Sequence, residues 1–303
     1  MIAPDSSGNL LFMKQILVCL LPIFAGCATN LSSLQTAKTL NPGQVRITGG
    51  FGVHVPAGQL VNSAAEGIRI GARTAMANAN DRPYVLTGDD KEAIGTAAIA
   101  LAMFPPSSVW EINGRVGIIR NLDVGFRYSI NSMRADAKLR VHHSGDSEDW
   151  DEPRGRSYDV AIGVGLSKYM LGSQIDGAFG GVRLDEFNRW DLEVPVYFNA
   201  DWNSHIGVYF VPKFLYSRTT MRQTFLAKPC DCTEGTQPES STQAKVDMMF
   251  YGATLGLRFG GWRVSGLIEL TVGNTEASPT LFGKKRTLGG ATIQPNVGLA
   301  LTF

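Results

Sequence analysis

From Gln44 to Val55 the chain alternates without a break. Odd positions carry Val45, Ile47, Gly49, Phe51, Val53 and Val55, and even positions carry Gln44, Arg46, Thr48, Gly50, Gly52 and His54. Side chains two apart share one face of an extended strand, so one face is apolar and the other polar or tiny. Such a strand separates an apolar phase from an aqueous one. The pattern recurs over Trp110–Arg120, Leu122–Asn131, Ala135–His143, Tyr158–Tyr169, Trp190–Ala200, His205–Ser217, Val246–Phe259, Trp262–Val272 and Thr292–Phe303. That predicts an all-β chain of about ten membrane-length strands (8–12 as bounds), the even count that bacterial barrels use.

Alternation alone does not say which face meets the apolar phase, because soluble barrels and sandwiches turn theirs inward. Charge on the polar face decides. Arg46, Glu111, Arg115, Arg127, Lys138, Arg140, Glu193, Lys213, Arg258, Arg263 and Glu269 all fall opposite the apolar residues, and are assigned to a lumen. Trp110, Trp190, Trp202, Trp262, Tyr128 and Tyr216 fall near strand ends, as the rings of an interfacial girdle do. The predicted fold is therefore a transmembrane antiparallel up-and-down β-barrel. With a formal net charge of +1, the chain lacks the basic face that a nucleic-acid partner requires.

The amino-terminal segment reads as an export signal. Lys14 precedes the apolar run Ile16 to Phe24, which is too short to span a bilayer and ends at Gly26-Cys27. Met13 is the expected start, with 1–26 as leader and signal peptide. Phe24-Ala25-Gly26-Cys27 resembles a bacterial lipobox, with Phe24 standing where that family usually has Leu. The resemblance implies acylation of Cys27, processing by the lipoprotein machinery, and residues 27–43 as a lipidated tether leading into the barrel at 44–303. The absence of Asp after Cys27 resembles lipoproteins sorted to the outer membrane. Cys19 leaves with the signal. Cys230 and Cys232 then remain in a polar loop, where a local disulfide across Asp231 or a soft-metal site with Glu234 are the two readings.

The last eight residues carry the most specific motif. In Asn296-Val297-Gly298-Leu299-Ala300-Leu301-Thr302-Phe303, the positions Asn296, Gly298, Leu299, Leu301 and Phe303 match the terminal assembly signal of outer-membrane barrels. That likeness implies recognition by the barrel-assembly machinery and an outer-membrane location, with both termini on the periplasmic side. Short turns are expected at Asn121, Asn203 and Gly260–Gly261. Long connections are expected at Pro56–Val109, Met170–Arg189, Thr219–Lys245 and Gly273–Ala291, with Ser144–Ser157 long on the short-turn side and Asn131–Arg134 short on the long side. Within the insert 57–107, Val61–Ala77 and Asp89–Phe104 lose the period of two and are rich in Ala, which predicts two helices as a cap or shallow plug.

Functional chemistry is sparse in the sequence. His142-His143-Ser144-Gly145-Asp146 places catalytic residue types side by side, but a triad is a spatial arrangement that neighbours in sequence rarely supply. No cofactor and no metal ligand set is implied. The charges on the polar face mix both signs, which favours pairing across a narrow lumen over segregated pore selectivity. The expected function is a non-enzymatic outer-membrane barrel lipoprotein, with passive transport or an envelope-structural role. The alternatives are a barrel enzyme using His142 or His143, and a surface binding or adhesion module. Outer-membrane lipid and the two assembly machineries are the expected partners.

Overall fold

The structure is a computed structural model that describes residues 29–79, 87–103, 106–145, 155–170, 182–202, 205–225, 240–281 and 284–303. The elements are β1 (Val45–Pro56), α1 (Gln59–Ala79), α2 (Gly88–Met103), β2 (Ser107–Ile119), β3 (Leu122–Ser129), β4 (Ser132–Gly145), β5 (Arg156–Tyr169), β6 (Val182–Trp202), β7 (Ile206–Phe225), β8 (Ser240–Gly260), β9 (Val264–Leu281), a two-residue β10 (Lys284–Lys285) and β11 (Leu288–Thr302). Each spanning strand pairs antiparallel with its neighbours in sequence, and β11 pairs with β1 to close the sheet. The result is a closed ten-strand up-and-down barrel. Followed once around, the register returns to β1 about twelve residues away, a stagger that tilts ten strands by about 40°.

Its outer face is apolar. Phe51, Ile112, Phe126, Leu139, Ile162, Phe210, Leu255, Ile268 and Val297 all stand exposed, although a water-soluble barrel would bury such side chains. Trp110, Tyr128 and Trp190 ring one end of this band, with Trp110 and Tyr128 in ring contact at 5.8 Å. Tyr158, Trp202, Phe259 and Phe303 ring the other, which also holds the β2–β3, β6–β7 and β8–β9 turns and the carboxyl terminus, whereas the β3–β4 turn between Ser129 and Ser132 lies at the first end. An apolar belt between two aromatic girdles is the exterior of a barrel in lipid. In such barrels the short-turn end faces the periplasm and the long connections face outward.

Four strands run well past the expected limits. β6, β7, β8 and β9 have 21, 20, 21 and 18 residues, about twice the 9–11 that cross a bilayer. Long connections predicted at Met170–Arg189, Thr219–Lys245 and Gly273–Ala291 are thus partly sheet, and β4 and β5 likewise shorten the Ser144–Ser157 connection. The physical reason lies in a reversal of the pattern. Along β8, Leu255, Leu257 and Phe259 point out within the membrane while Arg258 and Thr254 point in. Further out, Gln243, Lys245 and Asp247 point out while Ala244, Val246, Met248 and Phe250 point in. The strand keeps its period of two, but above the bilayer its apolar face turns inward, as in a soluble barrel. The outer half of the lumen therefore holds an apolar cluster of Leu215, Met221, Val246, Met248, Phe250 and Leu288.

The helical insert sits on this wall. Thr87 accepts a hydrogen bond from the Asp90 backbone N–H at 3.2 Å, and the Asp90 carboxylate accepts one from the Thr87 N–H at 3.0 Å, so α2 opens with a capping box. A Cβ on Gly67 of α1 would lie 2.1 Å from the Ala97 Cβ, so small residues let the two helices meet closely. Ala100 of α2 joins the apolar cluster in the barrel mouth, and Arg286 next to β10 pairs with Glu92. The insert is a cap. No described helix is long and apolar enough to cross a membrane.

Candidate functional site: a lumen filled by residues 29 to 40

The sequence reading made residues 27–43 a tether, and the structure differs. Residues 29–40 run as extended chain through the lumen, every one of them buried. Leu40 lies at the short-turn end, where its N–H donates to Asp123 at 3.3 Å. The link to β1 follows, with Gly43 N–H bonded to Gly117 O at 2.9 Å. Thr29 lies at the opposite end, where Arg189 donates to its hydroxyl at 2.7 Å. Arg189 and Asp191 flank Trp190, a ring of the outer girdle. The segment therefore runs from the mouth bearing the long connections towards the short-turn end and reverses into β1.

Its backbone is satisfied by lumen side chains, because an extended chain without a strand partner brings its own N–H and C=O groups into a buried space. The Glu269 carboxylate accepts both the Ser33 and Leu34 N–H groups at 2.8 Å, and also bonds Tyr209 and Asn296 at 3.1 Å. Lys138 donates to the Thr36 and Lys38 carbonyls at 2.8 and 3.0 Å. Arg127 donates to the Ser32 carbonyl at 3.0 Å, and Lys213 donates to the Leu31 carbonyl. Gln294 accepts from the Leu31 N–H at 3.0 Å. Glu111 takes the Ser32 hydroxyl at 2.6 Å and the Asn30 amide.

Around the segment the remaining charges pair with each other. Arg115 bridges Asp123 and Asp136, Arg134 pairs with Glu193, and Arg258 meets Asp201 at 2.8 Å. Arg140 lies 3.5 Å from Asp159, which also binds His143 Nδ1 at 2.7 Å. Arg46 donates to Thr302 at 3.0 Å. Ten of the eleven predicted lumen charges are buried as assigned. Arg263 is the correction. It stands exposed in the β8–β9 turn over the Trp262 ring at 4.7 Å, because the alternation starts only at Val264. The reading missed Asp123, Arg134, Asp136, Asp159, Arg189, Asp191 and Asp201, which share the lumen phase and were legible from it. Cys27, Cys230 and Cys232 lie outside the described residues, as does the signal segment.

Two glycines shape the seat of the segment. Gly50 and Gly298 are cross-strand partners on β1 and β11, and Leu34, at a positive φ of 42°, points at both. A Cβ on Gly50 would sit 2.1 Å from Leu34 Cδ1, and one on Gly298 would sit 3.1 Å from Leu34 Cδ2. The glycine of the terminal motif thus also serves as half of a notch for Leu34. Gly50→Ala is expected to cost about 1–3 kcal/mol through overpacking. The loss should shrink in the double variant with Leu34→Ala, as a denaturant titration of all three proteins would show. Equal losses with and without Leu34 would remove the notch as the cause.

Closure, an apolar belt, aromatic girdles and an ion-paired lumen together define a transmembrane β-barrel of the outer-membrane type. No family model matches the chain, and no curated protein matches it. Among solved structures it is similar to the Neisserial surface protein A, at 9% identity and a TM-score of 0.29, covering 86% of this chain and 96% of that one. It is similar also to Ail, the attachment invasion locus protein of Yersinia pestis, at 8% and 0.29, covering 86% and 99%. The N-terminal β-barrel domain of Pseudomonas aeruginosa OprF follows at 8% and 0.23, covering 86% and 98%. The class given above rests on this chain's own belt, closure and lumen.

Proposed function

We propose that this chain is a non-enzymatic barrel lipoprotein of the bacterial outer membrane, kept shut by its own amino-terminal segment. Its resting role is envelope-structural, and passive transport requires the segment to leave. One observation carries the reading: the charges that would line a pore are spent on the backbone of residues 29–40 or on each other. Buried charges held that way leave no continuous aqueous path and offset their own desolvation. The terminal motif Asn296–Phe303 supports the location, and Phe24–Cys27 supports acylation at Cys27. Purified full-length protein, shown folded by heat-modifiable migration, should be silent in planar bilayers. Steady conductance steps from that protein would overturn the closed-lumen reading.

A further inference from the structure

The direction of the lumen segment reaches beyond closure. An acylated Cys27 on a periplasmic tether would seat its chains in the inner leaflet. The geometry of residues 29–40 runs the other way. Leu40 lies by Asp123 at the periplasmic end, Lys138 holds Thr36 and Lys38 next, Glu269 holds Ser33 and Leu34 at mid-depth, and Arg189 holds Thr29 at the outer girdle. Two chain steps, through Ala28, separate Cys27 from Thr29, a reach of at most about 7 Å whatever path they take. The apolar band of an outer-membrane barrel is about 25 Å tall. From Thr29, Cys27 therefore reaches the outer interface and falls far short of the inner one.

We propose that the chain passes through its own barrel, so that everything preceding Thr29 emerges on the loop-bearing outer face. On the reading that Cys27 is acylated, its acyl chains enter the outer leaflet beside the barrel. The partner is thus outer-leaflet lipid, and the mature amino terminus is displayed at the cell surface. Beyond Thr29 the way out passes the helical cap, whose Ala100 shares one apolar cluster with Leu31. The mouth above Thr29 is walled by β6–β9, and its apolar lining of Met221, Met248 and Phe250 already packs against Leu31 of the segment. Threading also explains why polar residues such as Asn30, Ser32, Ser33 and Gln35 are fully buried here, each with a lumen partner or a local one.

The test uses cells making the full chain with a short protease-cleavable epitope inserted between Ala28 and Thr29. The same epitope placed in the 80–86 segment reports the outer side, and in the 146–154 connection the periplasmic side. Protease added to intact cells should cut the amino-terminal epitope as fully as the first control. Cutting only after the outer membrane is permeabilised, as for the second control, would overturn the threading. Should the insertion hinder folding, Ala28→Cys in a Cys230→Ser, Cys232→Ser background takes its place, read by a membrane-impermeant maleimide. The mass of the amino-terminal peptide separates the two readings. Outside access with an unacylated Cys27 keeps the threading and removes the lipid anchor, whereas acylation with inside-only access does the reverse.

Discussion

A chain lacking residues 29–40 should conduct ions in planar bilayers where the intact chain does not. The barrel itself should survive the deletion, because the strand ladder and the lipid-facing belt make no use of the segment. What the deletion removes is the occupant of a space lined by Lys138, Lys213, Arg127, Glu111 and Glu269, and water takes the places of the lost carbonyl and N–H partners. Selectivity should be weak. Among the described residues, nine basic strand side chains are buried in the lumen against eight acidic ones, so a salt gradient should give a reversal potential near zero with a slight anion preference. A synthetic peptide of residues 29–40 should close the channel again. Silence from folded, deleted protein would mean that the side chains collapse on one another and that the segment is not what shuts the lumen.

Glu269→Ala should bring the second large effect, on stability. The carboxylate holds two backbone N–H groups at 2.8 Å, a Tyr209 hydroxyl and an Asn296 amide, in a position with 2% exposure. Alanine leaves all four donors buried without their acceptor, and leaves Lys213 with less opposing charge. Breaking a buried charged network by removing one member costs about 3–5 kcal/mol. Glu269→Gln keeps one acceptor oxygen and should lose less, about 1–3 kcal/mol. Urea titrations in detergent, followed by tryptophan fluorescence, would read both. Glu269→Ala that unfolds at the wild-type urea concentration would show that the segment is held by its apolar residues alone.

The sequence carried the barrel and not its contents, for a physical reason visible in particular residues. Alternation in the membrane is strong because lipid outside and charge inside demand opposite chemistries, which is why Arg46 to Lys213 were legible one by one. Above the bilayer, water outside and a core inside invert the demand. Lys245, Asp247, Val246 and Met248 keep the period but exchange phase, so β6–β9 looked like loops beyond the belt. The lumen segment has neither period. Its apolar residues Leu31, Leu34, Ala37 and Leu40 recur every third position, a spacing that belongs to neither a strand nor an α-helix. That spacing was the signal that could have found it. Polar residues such as Thr29, Asn30 and Ser32 masked it, since their burial depends on partners up to 264 positions away in the chain.

The four-residue link from Asn41 to Gln44 has a consequence for anything that would open the barrel. It ties the lumen segment directly to the first strand. A ligand joined to its site by so short a connector acts at a local concentration on the order of millimolar, independent of how much protein the cell makes. A free peptide, ion or drug that sought the same groups would compete against that standing excess. Dilution cannot empty the barrel, and a single broken contact is remade before the segment drifts away. Opening therefore calls for a force on the Thr29 end of the segment, or for a partner that binds its withdrawn form tightly enough to outweigh its own proximity.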